Sequence, residues 1–174
     1  GLPVEDVPDL EISPMEPLAH PALESGGSIL DLIRAKDRLL HFPYQSYEYV
    51  IRLIQEAAAD PGVEAIWISL YRVSSRSEVV KALIKAAENG KDVLAFVEVQ
   101  ARFDEELNLE WAERMELAGI RVIHGTRKIK VHAKVCLIRR REGDTSRLYA
   151  LLATGNFNEK TARVYADHGL MTAD

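Results

Sequence analysis

Ala65-Ile66-Trp67-Ile68-Ser69-Leu70-Tyr71 is an apolar run of strand length. A helical stretch from about Arg76 to Glu88 follows, closed by Asn89-Gly90, the usual C-terminal glycine signal. Val93-Leu94-Ala95-Phe96-Val97-Glu98-Val99 is the next strand and Asp104 to Ala118 the next helix; Gly119 ends it before the short strand Ile120-Arg121-Val122-Ile123. Strand–helix–strand–helix–strand at these lengths predicts parallel pairing through crossover helices. Further on the pattern changes. Val131 to Arg139 and Arg147 to Ala153 read as strands joined by the hairpin signal Glu142-Gly143-Asp144, hence antiparallel. The triplet Arg139-Arg140-Arg141 reads as a solvated turn, a short helix follows Asn158, and Gly169 to Ala173 reads as an edge or returning strand. The fold class is therefore α/β, a mixed-sheet α/β sandwich.

Upstream, Ser28 can cap a helix over residues 28–37, Pro43 interrupts, and Ser46 can cap a second helix to about Ala59 before the stop at Asp60-Pro61-Gly62. Residues 1–27 hold all but two of the seven prolines and close on Gly26-Gly27, which predicts an extended Pro-rich linker from an upstream domain. Residues 28–174 then form one domain. Its 47% hydrophobic and 28% charged residues suffice for a sizeable core. A net charge of -5 gives no global basic field, so nucleic acid is not the expected partner and an anionic ligand must be held by local cations. The single cysteine, Cys136, has no partner for an intrachain disulfide, which favours a cytoplasmic setting, peripheral at a membrane at most. No apolar run approaches the roughly 18 residues of a membrane span. His20, His41, His124 and His168 lack ligand spacing with cysteines or carboxylates, so structural zinc is not expected. The chain opens at Gly1-Leu2-Pro3 and ends at Met171-Thr172-Ala173-Asp174, and the expectation is a piece of a longer protein.

The chemistry concentrates in two places. Val131-His132-Ala133-Lys134-Val135-Cys136 places His132 and Lys134 two residues apart, on one face if the segment is a strand. Alone, His132 reads as a core histidine with satisfied nitrogens. Lys134 changes that balance, because two polar side chains on one face are costly to bury unpaired. A neutral imidazole offers a lone pair for attack on phosphorus, and an adjacent ammonium can neutralise non-bridging oxygens in the transition state. Thr154-Gly155-Asn156-Phe157-Asn158-Glu159-Lys160 is the second place. Gly155 allows close backbone approach, Asn156 continues the turn, and Asn158 can cap the following helix and leave free amides for an anion. By itself this motif is a simple strand-to-helix turn; with the His-x-Lys pair some twenty residues earlier it becomes a candidate phosphate-binding turn. Arg72 and Arg102 follow strand ends, where α/β sheets bind ligands, although pairing with Asp104 or Glu105 explains either one equally well. Tyr165 reads first as a packing aromatic.

Leu70-Tyr71-Arg72-Val73, the run from Val99-Gln100-Ala101-Arg102-Phe103 to Glu106, Lys130-Val131-His132-Ala133-Lys134 and the run from Thr154-Gly155-Asn156-Phe157-Asn158 to Arg163 occur in this order. Together they resemble the first of the two C-terminal catalytic domains of bacterial polyphosphate kinases, from about residue 28 to 174. The resemblance implies a phospholipase-D-like fold and reversible transfer of the ATP γ-phosphate to the end of inorganic polyphosphate, with Mg²⁺. It implies that His132 is the phosphorylated nucleophile, that Arg72 and Arg102 are associated with phosphate and Mg²⁺, and that Tyr165 contacts the nucleotide. Arginine is always protonated and cannot ligate a cation, so Arg72 and Arg102 are assigned to phosphates beside the metal, whose direct ligands are left open. Phospholipase D enzymes carry an Asp four residues after the His-x-Lys motif; Arg139 stands there, which favours the kinase. The resemblance also implies a second catalytic domain downstream, so the isolated chain is expected to turn over negligibly, and the full-length protein is expected to be a homo-oligomer using ATP and ADP. Two other functions remain: a phosphodiesterase of the phospholipase D class, and a non-catalytic polyphosphate-binding module.

Overall fold

The computed structural model describes residues 15–98, 105–125 and 130–173. Its elements run α1 (Pro21–Glu24), α2 (Ile29–Ala35), β1 (Arg38–Phe42), α3 (Glu48–Ala59), β2 (Val63–Leu70), α4 (Glu78–Glu88), β3 (Asp92–Val97), α5 (Glu105–Leu117), β4 (Arg121–His124), β5 (Lys134–Glu142), β6 (Thr145–Ala153), a single 3-10 turn (Thr161–Arg163) and β7 (Asp167–Thr172). The strands form one seven-stranded sheet ordered β1-β7-β6-β5-β2-β3-β4. β2, β3 and β4 pair in parallel through α4 and α5, as their spacing predicts, and the remaining pairs are antiparallel.

Alternation along the strands divides the sheet into two faces. One turns Leu40, Ile66, Ile68, Leu70, Val93, Ala95, Val97, Cys136, Ile138, Tyr149, Leu151 and Met171 into a single buried cluster with the helices. α3 contributes Tyr49, Val50, Leu53, Ile54 and Ala57, and α4 contributes Val79, Val80, Leu83 and Ala86, both at helical spacing. Each large apolar side chain so buried stabilises the fold by roughly 1.5–3 kcal/mol. Ser77 caps α4 by accepting from the Val80 N–H at 3.2 Å, Ser28 accepts from Leu30 N–H in α2 at 3.2 Å, and Ser46 accepts from Glu48 N–H at 3.2 Å. The other sheet face leaves Leu39, Ile123, Leu148 and Leu152 exposed.

Several expectations need correction. The strand expected over residues 131–139 runs from Lys134 to Glu142, so His132 stands before it. Register explains the shift: β5 and β6 pair from Lys134↔Ala153 to Glu142↔Thr145, around a Gly143-Asp144 turn in which Gly143 has φ 62. Ahead of Lys134, side chains take the backbone groups instead. Val131 N–H donates to a Glu98 carboxylate oxygen at 3.3 Å, and the Ser69 hydroxyl donates to the Ala133 carbonyl at 2.6 Å. The arginine triplet is strand rather than turn; Arg140 pairs with Asp60 at 2.8 Å and Arg139 with Glu64 at 3.2 Å. The helix after Asn158 is only the 3-10 turn; β7 is the returning strand of the two readings, set between β1 and β6. β1 was not expected at all. In the described part of residues 1–27 the chain is not simply extended: α1 forms there and Leu23 is fully buried.

Candidate active site

The ends of the two central parallel strands are tied by one side chain. Asn108 lies on the inward stripe of α5 and is fully buried. Its amide nitrogen donates to the carbonyls of Tyr71 at 2.9 Å and Glu98 at 3.0 Å, and its oxygen accepts from Val73 N–H at 3.3 Å. A second tie comes from the turn after β6. One oxygen of Glu159 accepts from the N–H groups of Glu78 at 2.8 Å and Val79 at 3.2 Å and from the Ser77 hydroxyl at 3.2 Å; the other accepts from the Ser74 hydroxyl at 2.5 Å. A carboxylate at the first turn of α4 also complements the helix dipole. The loop after β2, which carries Tyr71 and Arg72, is thus fastened to α5 on one side and to the Gly155–Glu159 turn on the other.

His132 is exposed above this frame, and Lys134 is buried beside it. The Lys134 ammonium lies 2.8 Å from His132 Nδ1 and 3.0 Å from Nε2. The ammonium is thus within hydrogen-bonding distance of both ring nitrogens, and the tautomer decides which of them can accept. Burial lowers the Lys134 pKa from its ordinary value, and the Asp167 carboxylate partly opposes that. Asp167 accepts from the Thr154 hydroxyl at 2.7 Å. A Cβ at Gly155 would collide with that carboxylate, so close approach is what the glycine provides here. The acid sought at position 139 is absent there; the acid that faces Lys134 arrives from β7.

The expected residues come together unevenly. Arg72 is half-buried at the end of β2 and is engaged in contacts of its own. Arg102 lies outside the described residues. Asn158 is buried, with its side-chain oxygen committed to Lys160 N–H at 3.0 Å and Thr161 N–H at 3.1 Å, a cap rather than an open anion cradle. The Asn156 side-chain oxygen is buried without a hydrogen-bond partner among the described residues. Tyr165 is 60% exposed just past the 3-10 turn, so it is not the packing aromatic its position first suggests. A cavity of about 430 Å³ opens behind the turn, between Pro17, Gln45, Tyr47, Glu159 and Arg163, and not over His132. Tyr71, Asn108, Glu159 and Asp167 were not singled out from the sequence. Asn108 alone left a signal, as a polar residue on the stripe Asn108, Trp111, Ala112, Met115.

Among the described residues no group of three or more His, Cys, Asp or Glu is placed to hold a metal ion. Mg²⁺ is commonly held by one or two carboxylates together with phosphates rather than by an all-protein cage, a manner of binding that needs no such group.

A seven-stranded mixed sheet in this order, with helices packed on one face, places the chain in the phospholipase-D-like fold class. The fold is shared with NucT from Helicobacter pylori, at a TM-score of 0.58 and 17% identity over 80% of this chain and 86% of that one. Residues 28–174 match the family described as polyphosphate kinase C-terminal domain 1, and the chain belongs to that family. It is 48% identical over 165 residues to the polyphosphate kinase of Vibrio vulnificus (strain YJ016), covering 95% of this chain and 24% of that protein. The crystal structure of polyphosphate kinase from Porphyromonas gingivalis superposes with a TM-score of 0.83 at 48% identity, over 99% of this chain and 29% of that one. The chain thus spans about a quarter of the length of the curated relatives it matches.

Proposed function

We propose that the protein containing this chain transfers the γ-phosphate of ATP reversibly to the end of inorganic polyphosphate through a phosphohistidine at His132. One observation carries the proposal: the Lys134 ammonium stands 2.8 and 3.0 Å from the two nitrogens of the exposed His132 imidazole. In the forward half-reaction an imidazole nitrogen bonds to the γ-phosphorus as the bond to the bridging oxygen breaks, and ADP leaves with that oxygen's electrons. In the second half, a terminal oxygen of polyphosphate takes the phosphoryl group and restores the free imidazole. Lys134 offsets charge on the non-bridging oxygens. Arg72 and Arg102 hold phosphates, Tyr165 meets the nucleotide, and Gly155 brings its turn close to the transferred group. Mg²⁺, bound with the phosphates, would add charge neutralisation. Within this proposal residues 28–174 act as one catalytic domain, residues 1–27 connect it to preceding chain, and the whole protein is a cytoplasmic homo-oligomer. No helix among the described residues is long and apolar enough to cross a membrane.

The test is polyphosphate synthesis from ATP by the full-length protein, wild type against His132→Ala. Synthesis in the wild type and none in the variant is expected, with negligible turnover by the isolated chain. Cleavage of bis-(p-nitrophenyl) phosphate that is lost in His132→Ala, without polyphosphate synthesis, would replace the kinase by a phosphodiesterase.

A further inference from the structure

We infer that Tyr71 is a positioning residue for the nucleophile, an aromatic wall that holds the His132 imidazole against the Lys134 ammonium. The inference rests on the phosphohistidine reading of His132 and adds what orients it. His132 precedes β5, so no ladder fixes its direction; Glu98 accepts from its neighbour Val131, and Ser69 donates to its neighbour Ala133. Its side chain is exposed, and its ring meets Lys134 and Tyr71. The Tyr71 and His132 rings meet edge to face, with centroids 5.3 Å apart and planes at 71°. The same tyrosine ring lies 5.6 Å from the Lys134 ammonium. One aromatic ring thus borders both members of the pair, and both contacts are of attractive geometry, aromatic T-shaped and cation–π.

The wall is itself rigid. Its carbonyl is gripped by the buried Asn108, and the residues that follow it are tied through Ser74 to Glu159 and to the indole N–H of Trp111, which donates to the Ser74 carbonyl at 3.0 Å. A ring with a fixed backbone can set the direction of an otherwise exposed imidazole. The cation–π contact, with the Asp167 carboxylate that faces it, also helps Lys134 keep its charge at a buried position. The hydroxyl is not part of this device, because both contacts are made by the ring.

The test uses the full-length protein with Tyr71→Leu, Tyr71→Met and Tyr71→Phe. The rate of phosphohistidine formation from ATP should fall by about 10- to 100-fold in the leucine and methionine variants, the cost of a loosely held reacting group, with little change in the KM for ATP. Tyr71→Phe should recover the lost rate. A second readout needs no turnover: in histidine-labelled protein, the His132 ring resonances should carry a ring-current shift that persists in Tyr71→Phe and vanishes in Tyr71→Leu. Wild type that shows the ring-current shift but takes no phosphate on His132 would leave the wall standing and remove the kinase reading. Unmoved His132 resonances in Tyr71→Leu, an undiminished rate in folded leucine and methionine variants, or a phenylalanine variant as slow as leucine would overturn the wall.

Discussion

Replacing Glu159 by alanine asks whether the turn after β6 and the loop after β2 are one mechanical unit. The carboxylate accepts four hydrogen bonds, two from the first amides of α4 and two from the Ser74 and Ser77 hydroxyls. Both serines are buried, Ser77 completely, so their hydroxyls do not simply turn to solvent when the acceptor is removed. At a net ~1 kcal/mol per bond the loss is about 4 kcal/mol. Water entering from the cavity that Glu159 lines would return about 1 kcal/mol, so Glu159→Ala should destabilise the chain by about 3 kcal/mol. Glu159→Gln keeps an oxygen for the α4 amides and offers its NH₂ to Ser74, and should cost only about 1 kcal/mol. Urea unfolding of the three proteins, followed by circular dichroism at neutral pH, would give this order with unchanged slopes. An alanine variant within about 0.5 kcal/mol of wild type would refute the idea that Glu159 fastens the two segments, because surface substitutions away from such features stay within that range.

Leu23, fully buried in α1, should cost about 3 kcal/mol of stability as Leu23→Ala, a core-sized loss from a stretch that reads as linker; urea midpoints equal to wild type would make α1 dispensable. The Cys136 thiol is fully buried and pushed up to about 12 by that burial, so Ellman's reagent at pH 8 should leave it untouched in the folded chain and titrate it in urea. Burial holds the Lys134 ammonium below its ordinary 10.5, so the unfolded chain keeps that proton to higher pH than the folded one. The cost of the buried charge is therefore present below the folded-state value and fades as pH rises toward 10.5, and wild-type stability relative to Lys134→Met should increase through that window; a flat or falling difference would contradict it.

The parallel half of the sheet was legible because its signals are local: apolar runs of strand length, and Gly90 and Gly119, both at positive φ, closing the helices between them. β1 was not, because Arg38-Leu39-Leu40-His41-Phe42 is five residues long, and its burial depends on β7, more than a hundred residues away. The same kind of distance hid Glu159 and Asp167. Their partners Ser74, Ser77 and Lys134 are brought to them by sheet order, and a single carboxylate in a turn carries no periodic signal. His132 and Lys134 were found as a pair, yet the strand alternation that suggested it does not extend to His132. The two meet because Glu98 and Ser69 hold the segment before β5 and Tyr71 closes its far side.

The most direct measurement is phosphohistidine trapping in the full-length protein with [γ-³²P]ATP and Mg²⁺, followed by mapping of the labelled peptide. Acid-labile, alkali-stable label on the peptide containing His132, absent from His132→Ala, is the expected result. Label that persists in His132→Ala, or that maps to another residue, would contradict His132 as the nucleophile.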